Sequence, residues 1–373
     1  MARALAQEVI TELARLRWLF VIARGSTFQL DASQTSPHQI GQQLGVRYCL
    51  TGSLDVYGPG LSLMLELTDT KTGLIIWAEQ YNASLDDIHL IRRQIVASII
   101  ASLELQITAH EARKAQLNTS ESLDAWSSYH LGLHHMFRFN AGDNAKATQL
   151  FKQATALDPH FARAYAGLSF TRFQDAFLGH TDDYDHAAQD ARRFAEKSLE
   201  LDALDPFCNF TMGRSFWLEY DLEQSLGWLE RSTQLSPNYA QGIYATAWAE
   251  SISGYGKSAQ QHIDTAIELS PLDPLLYGMR GARAFAHMVS GEVSEAAQWA
   301  EHAATSPGAH VLIWLIAVAA HDMNGDTARA EQWAARVRQR TSAISQADYF
   351  KAFPFKPGEA RDRMADALTR HGF

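Results

Sequence analysis

The sequence of 373 residues is poor in cysteine and has no long apolar run. Its two cysteines, Cys49 and Cys208, are far apart and fit no metal-binding or redox spacing, which suits a reducing compartment such as the cytoplasm. The longest apolar run, Val311–Ala320, is half of the roughly 20 residues that a membrane-spanning helix needs. A second run, Trp18–Ala23, is short and follows acidic residues, unlike a signal peptide. We therefore expect a cytoplasmic protein that does not enter a membrane.

Basic residues are outnumbered by acidic ones. The chain has 32 Lys and Arg against 42 Asp and Glu, a formal net charge of -10. Residues 1–118 hold 10 basic and 11 acidic residues (-1), so the remaining 22 and 31 place -9 on the rest of the chain. An acidic surface repels a phosphate backbone, so we expect no direct nucleic-acid binding by this chain.

Catalytic and phosphate-binding motifs are missing as well. The sequence has no nucleophile elbow, no Cys–His nucleophile spacing and no dinucleotide-binding glycine pattern. Gly254–Ser258 imitates the end of a phosphate-binding loop, but the first glycine of that motif is replaced by Ser251 and no strand precedes it. A turn between two helices explains these residues better. The sequence predicts no enzyme activity and no cofactor.

Two histidine clusters could suggest a metal site. His130, His134 and His135 lie on one predicted helix, but no carboxylate ligand is evident nearby, so a structural or groove-lining role is favoured. The segment His180–His186 is richer in possible ligands and reads as a solvated polar loop. A hydrolase that uses this loop is the alternative. We predict no metal ligand.

The first 118 residues mix helical and strand patterns. They predict helices at Ala2–Arg15, from Pro37 to about Leu44 and from Leu85 to about Ala115, with a short strand at Leu19–Ala23. Ser36 is the predicted N-cap of the second helix. Three further strands follow, because apolar residues alternate at Val46, Tyr48, Leu50, Leu54 and Val56, and at Leu61, Leu63, Leu65 and Leu67, before a third run at Leu74–Ala78. Together these elements predict an α/β layer.

Beyond residue 118 the pattern becomes a helical repeat. Prolines recur at gaps of 47, 31, 34 and 36 residues, at Pro159, Pro206, Pro237, Pro271 and Pro307. The 47-residue gap implies an insertion, and each proline is expected to start the next helix. A small–bulky–small pattern precedes three of them at identical offsets, at Ala147/Phe151/Ala154, Ser225/Leu229/Ser232 and Ala259/Ile263/Ala266. Ala191/Ala195/Ser198 hold the equivalent place in the second pair, Ala296/Ala300/Ala303 are shifted by one position, and Ala330/Ala334/Val337 continue the repeat without a proline. Small residues let antiparallel helices approach closely, so six helix pairs are predicted.

These repeats resemble tetratricopeptide repeats (TPR) in spacing and in the A…F…A…P pattern. The first half resembles the TolB amino-terminal domain in EVITELARLRWLFVIARGSTF, IGQQLGVRYCLTGSL and TGLIIWAEQYNASLDDI. The resemblance implies an α/β domain at 1–118, lacking its first strand, then an all-α TPR-like superhelical solenoid at 119–341 and a capping segment at 342–373, whose plugs are Tyr349, Phe353 and Phe355. Such domains occur together in bacterial transcriptional regulators and class III adenylate cyclases.

The resemblance also implies a function. A stack of helix pairs has a concave groove lined by the first helix of each pair, where a protein or peptide partner binds. Projecting the repeat phase gives a candidate partner-binding groove formed by Tyr129, Phe173, Arg214, Trp217, Tyr244, Trp248, Arg283 and His287. The alternative for the aromatic residues is packing between repeats.

We expect a non-enzymatic interaction and ligand-sensing module of a bacterial transcriptional regulator whose DNA-binding domain lies outside this chain. The regulatory region of a class III adenylate cyclase, or a free-standing TPR scaffold, is the alternative. An open edge of the α/β sheet could also support a homodimer.

Overall fold

The computed structural model describes residues 2–30, 35–84, 88–117, 123–341 and 344–373. These residues form two compact units, Met1–Arg113 and Lys114–Phe373, which are treated separately below. The predicted domain boundaries next to residues 118 and 342, and the predicted helix start at Leu85, lie outside the described residues.

The first unit is an α/β layer. Its elements are α1 Ala2–Leu13 with a 3-10 turn at Ala14–Leu16, α2 Arg24–Thr27, α3 Pro37–Leu44, β1 Tyr48–Tyr57, β2 Gly60–Asp69, β3 Ile75–Ser84 and α4 Ile88–Gln116. The three strands form an antiparallel sheet in the order β1-β2-β3. Both outer strands therefore have one neighbour each among the residues described.

Local sequence signals account for α3 and β2. Ser36 accepts a hydrogen bond from the backbone N–H of Gln39, whose side chain accepts one from the Ser36 backbone, which is a capping box. In β2 the predicted face of Leu61, Leu63, Leu65 and Leu67 is buried, each residue being 2–6% exposed. Alternation of period two places all four side chains on one side of the sheet, as predicted.

Two strand predictions need correction. Leu19–Ala23 is not a strand, since these residues have no regular structure and Phe20 is 99% exposed. An apolar run of this kind becomes a strand only where a neighbouring strand takes its backbone hydrogen bonds, and none of β1–β3 pairs with it. The outer end of β1 is also solvent-exposed, with Val56 53% exposed, so the predicted half-buried face ends near Leu54.

A buried ion network joins the sheet to α4. The carboxylate of Asp69 accepts two hydrogen bonds from Arg47, at 3.1 and 2.7 Å, and its Oδ2 lies 3.1 Å from Nε2 of His110. Although burial opposes ionisation, the Arg47 hydrogen bonds hold the pKa of the Asp69 carboxyl below its usual range. Tyr48 donates a hydrogen bond to the buried Glu111 beside this group. The sequence patterns did not indicate this network.

The second unit consists of helical hairpins. Six pairs follow one another: α5 Ala125–Met136 with α6 Ala141–Leu157, α7 Ala162–Phe177 with α8 Tyr184–Leu201, α9 Pro206–Leu218 with α10 Leu222–Leu235, α11 Ala240–Ile252 with α12 Gly256–Leu269, α13 Leu276–Val289 with α14 Val293–Ala304, and α15 Val311–Met323 with α16 Thr327–Arg340. Two short helices complete it, α17 Gln346–Ala352 and α18 Glu359–Arg370. The first helix of each hairpin packs on that of the next, as in a TPR solenoid.

The small–bulky–small residues form the contacts inside the hairpins. All eighteen residues of the predicted pattern are 0% exposed. In the third hairpin, a Cβ added to Gly213 would lie 2.7 Å from Cγ of Leu229 and 3.0 Å from the Ser225 carbonyl oxygen. The two helices of this hairpin are therefore packed so closely that a methyl group at Gly213 would clash, which supports the repeat assignment.

The prolines mark the repeat less regularly than predicted. Pro206 is the first residue of α9, whereas Pro159 precedes α7 by three residues and Pro271 precedes α13 by five. The 47-residue gap contains no separate insertion domain. Instead α7 and α8 have 16 and 18 residues, against 13 and 14 in the next hairpin. A turn tolerates proline at several positions outside the hydrogen-bonded helix, so the distance from the proline to the start of the next helix varies between repeats.

Aspartates in two inter-hairpin turns tie neighbouring repeats together. The buried Asp205 caps α9 through the N–H groups of Phe207 and Cys208 and accepts a hydrogen bond from Arg163 at 2.7 Å. Asp273, in the turn before α13, accepts hydrogen bonds from the backbone N–H of Leu275 and from Gln241, each at 2.8 Å. Arg163 and Gln241 are each the second residue of the preceding first helix, so the two clamps are equivalent.

We predict that Asp69→Asn loosens the sheet of the first unit. The change removes the buried carboxylate that pairs with Arg47 at 2.7 Å, leaves Arg47 with Glu111 at 4.0 Å, and lowers the free energy of local opening by about 3 kcal/mol. Hydrogen exchange of peptides from β1–β3 should accelerate accordingly. The control is Asp55→Asn, because Asp55 is exposed on β1. Equal exchange in the two variants would contradict the structural role of the network.

Two glycines of the third hairpin should respond oppositely to alanine. Gly213→Ala adds a methyl group where Leu229 and a backbone carbonyl already lie, and should destabilise the solenoid by about 1–3 kcal/mol. Gly227→Ala, in α10, meets nothing within 4 Å and should stabilise it by up to about 1 kcal/mol through helix propensity. Thermal unfolding followed by circular dichroism measures both. A loss of stability in Gly227→Ala would show that the helix contact is misassigned.

Candidate partner-binding groove

Five of the eight predicted groove residues lie around one cavity. They come from three consecutive first helices: Phe173 on α7, Arg214 and Trp217 on α9, and Tyr244 and Trp248 on α11. All five are buried, at 1–7% exposed. The free volume that remains is about 30 Å³, room for a water molecule or a small ion. The structure therefore brings together five of the side chains that the repeat phase selected.

Distant hairpins meet at this cavity. The ring of Phe139, in the α5–α6 turn, stacks on that of His310, which precedes α15, with centroids 6.1 Å apart and planes 10° apart. His310 also makes edge contacts with Phe177 and Tyr277. Because residues from the first and the last hairpin touch, the face formed by the first helices is closed on this side by aromatic rings.

The C-terminal segment occupies the rest of the face. The ring of Phe353 stacks on Trp248 at 5.0 Å and contacts Phe285 at 5.0 Å and Phe177 at 5.4 Å. Phe353 and Tyr349 are 1% and 0% exposed. These are the aromatic residues predicted to act as plugs. They insert among the first helices α7, α11 and α13, whereas α18 packs at the end of the stack on α15.

Backbone hydrogen bonds hold this segment in place. Nε1 of Trp217 donates a hydrogen bond to the carbonyl of Ala352 at 2.8 Å, and the backbone N–H of Lys356 donates one to the carbonyl of Ile252 at 3.2 Å. A second cleft separates Pro354–Pro357 from the α9–α10 turn at Tyr220–Glu223. The groove thus binds an aromatic stretch of polypeptide that belongs to the same chain and consists of α17 and the non-helical residues after it.

Arg214 is the charged residue of the cavity. Its guanidinium lies over the rings of Phe173, Phe210 and Trp217 at 5.2, 5.5 and 5.2 Å. Burial lowers the pKa of Arg214 to about 10, which leaves it protonated at neutral pH. No described residue offers its Nε an acceptor. The aromatic rings supply cation–π attraction but no hydrogen bond.

The other polar groups of the cavity are neutral at pH 7. Burial raises the pKa of Tyr244 to about 12, and it also raises the pKa of Tyr277 well above its usual range. Removal from water lowers the pKa of His310 to about 3, with a further contribution from His180. Gln241 uses its amide N–H groups on Asp273. Arg214 therefore supplies the net charge of this site.

The structure places the remaining three predicted residues elsewhere. Tyr129 packs between hairpins, with Phe151 and Phe161 at 5.9 and 4.9 Å. Arg283 pairs with Asp264 at 3.0 Å on the second helix α12, and His287 lies 2.7 Å from Glu292 in the α13–α14 turn. All three are on first helices, as the repeat phase predicts, but their side chains point between hairpins instead of lining the cavity.

Several cavity residues were missed by the sequence patterns: Phe139, Phe170, Phe177, Phe210, Gln241, Leu275, Tyr277, His310 and Ile313. Phe177 could have been found, since it lies one helical turn after Phe173 and shares its face. His310 and Phe139 lie in turns, where the helical period gives no information. The cavity therefore combines a predictable helix face with residues that only the tertiary fold brings in.

The two histidine clusters do not form a metal site among the residues described. Burial lowers the pKa of His130 to about 3, and this residue packs against Trp126 and Tyr129. The predicted loop His180–His186 is shorter than expected, because α8 begins at Tyr184. Gly256 and Lys257 start α12, so the sequence that imitated a phosphate-binding loop is the turn of a helical hairpin, as predicted.

Comparison with known proteins supports the fold. The APC/C hetero-tetramer Cut9–Hcn1 has a TM-score of 0.51 and 11% identity, covering 74% of this chain and 49% of that one. A tetratricopeptide repeat protein from Parabacteroides merdae has a TM-score of 0.39 and 15% identity, covering 66% and 94%. The fold is a small α/β unit followed by a TPR-like helical solenoid.

Sequence comparison with known proteins finds one distant relative and no family. No family model matches the chain. A protein of Rhizobium meliloti (strain 1021), named "Putative adenylate cyclase 3", is 27% identical over 214 residues, 57% of this chain and 36% of that protein. The chain thus spans about a third of that relative's length.

None of the helices in the described residues is long and apolar enough to cross a membrane.

We predict that Trp217→Phe loosens the C-terminal segment without unfolding the solenoid. The change keeps a ring in the cavity but removes the hydrogen bond to Ala352, which is worth about 1 kcal/mol. Hydrogen exchange should accelerate in residues 346–356. Trp228→Phe, on the second helix α10, is the control. Unchanged exchange in Trp217→Phe would show that this hydrogen bond does not hold the segment.

Proposed function

We propose that the chain is a non-enzymatic interaction module whose groove binds an aromatic peptide segment of a protein partner. The observation that carries the proposal is the polypeptide already in the groove. Phe353 fills it with an aromatic ring, and Trp217 and Ile252 bind its backbone on either side. A surface that holds one aromatic segment by rings and main-chain bonds suits others of the same chemistry.

In this proposal the C-terminal segment is an internal competitor. A partner enters after Phe353 leaves Trp248 and Phe285, and it then uses the same rings. The large aromatic residues give contact area at a small cost in side-chain entropy, so a few of them carry most of the affinity. Tyr129, Arg283 and His287 remain candidates for contacts outside the cavity.

We further propose that the module regulates a bacterial signalling protein. Of the outputs expected from the sequence, the regulatory region of a class III adenylate cyclase is favoured over a transcriptional regulator, because the Rhizobium meliloti relative is named as a cyclase. A free-standing scaffold is the remaining alternative. The acidic charge of the repeats agrees with a protein partner and not with nucleic acid.

The groove can be tested with its own segment as a probe. A labelled peptide of residues 345–357 should bind the Phe353→Ala variant at least tenfold more tightly than the wild type, because the variant frees the aromatic site. Adding Trp248→Leu should abolish this gain, whereas adding Trp228→Leu on α10 should not. Fluorescence anisotropy gives the affinities, and circular dichroism checks that each variant is folded. A folded Phe353→Ala variant that binds no peptide would refute the proposal.

A further inference from the structure

Two buried arginines of the solenoid differ in their surroundings. Arg163 and Arg214 are both 6% exposed. Arg163 lies 2.7 Å from the buried carboxylate of Asp205, which balances its charge. Arg214 has no carboxylate within ion-pair distance, although residues 123–341 around it are all described. A buried cation without a counter-ion is costly, so Arg214 requires an explanation.

The aromatic contacts explain Arg214 only in part. Rings that lie over the guanidinium stabilise its charge through the π-face, while its N–H groups lie in its own plane. None of those N–H groups makes a hydrogen bond with a described residue, and Nε is fully buried. The guanidinium also forms part of the cavity wall. A ligand in the cavity would therefore meet a guanidinium whose Nε has no hydrogen-bond acceptor among the described residues.

The cavity defines the chemistry of that group. Arg214 is its one cationic side chain, and neutral His310, Tyr244 and Tyr277 add no second charge. A single guanidinium suits a monoanion, and its planar fork matches a carboxylate in two parallel hydrogen bonds. The surrounding walls are aromatic and aliphatic, which favours an apolar body attached to the carboxylate.

The ring of Phe353 shows where that body fits. The free space of about 30 Å³ holds no more than a water molecule or a small ion while Phe353 is in place. If Phe353 swings out, a ring-sized volume opens between Trp248, Phe285 and Phe177. A small molecule needs this one side chain to move, whereas a partner's side chain needs the whole segment to leave.

We propose that this cavity is a binding site for a small monocarboxylate with an apolar body, held by Arg214 and admitted by displacement of Phe353. The site is separate from the peptide interaction, because a small ligand can bind without any partner. When occupied, it loosens the C-terminal segment from the groove. The solenoid is then a sensor of a carboxylate compound.

A series of isosteric probes tests the site in the wild-type protein. Benzoate, benzamide and benzamidine share one shape and carry charges of -1, 0 and +1. We expect benzoate to bind at least tenfold more tightly than benzamide in isothermal titration calorimetry, and benzamidine not to bind. Hexanoate, titrated in the same way, tests whether the site also accepts a carboxylate with an aliphatic body. Equal affinity for benzoate and benzamide, or no binding of either carboxylate at millimolar concentration, would overturn the proposal.

Variants locate the binding. Arg214→Met keeps the apolar volume and should weaken benzoate binding at least tenfold, while Phe353→Ala should strengthen it. Arg231→Met, which removes an exposed arginine of α10, is the matched control. Benzoate binding that survives Arg214→Met would place the ligand elsewhere and refute the site. Because these measurements use no peptide, they can fail while the peptide experiment succeeds, and the reverse also holds.

Discussion

The solenoid depends on the close approach of the two helices within each hairpin. Alanine, serine or glycine at the contact positions brings the backbones together, and one bulky residue such as Phe151 or Leu229 fills the space that remains. Each of the six hairpins buries all three of its contact residues, and the central residue is bulky in the first, third and fourth hairpins. The repeated contact stacks the first helices side by side, and Phe173, Trp217 and Trp248 line one cavity among them.

The same periodicity explains which parts of the molecule could be predicted. The helix pairs, the buried face of β2 and the capping box at Ser36 all follow from short-range patterns, and the structure confirms them. The prolines were a poorer phase marker than the hairpin-turn glycines Gly254, Gly291 and Gly325, which adopt φ values of 96°, 77° and 81°. A turn that needs a positive φ constrains its residue more strongly than one that merely tolerates proline.

What could not be predicted depends on contacts distant in sequence. Leu19–Ala23 has the composition of a strand but no neighbour to pair with, which an isolated pattern cannot show. Asp69 and His110 are 41 residues apart, and His310 and Phe139 come together across the whole repeat stack. For the groove, the helical period selected residues on first helices, but Arg283 and His287 turn toward acidic neighbours. A first-helix position is therefore not sufficient for a place in the cavity, and it is not necessary either, since Phe139 and His310 reach the cavity from turns.

The C-terminal segment competes with any external partner for the groove, so it lowers the partner's apparent affinity. A segment joined by a short linker acts at an effective concentration of about a millimolar, so an external partner must outcompete it. Partner affinity is then set by the difference between two similar aromatic contacts, and a small change in the internal contact has a large effect on the bound fraction. Arg214 lines the same cavity as Phe353, and its Nε has no hydrogen-bond acceptor among the described residues. A ligand that satisfies Arg214 and displaces Phe353 would weaken the internal competitor and raise partner binding, because the two events share one side chain.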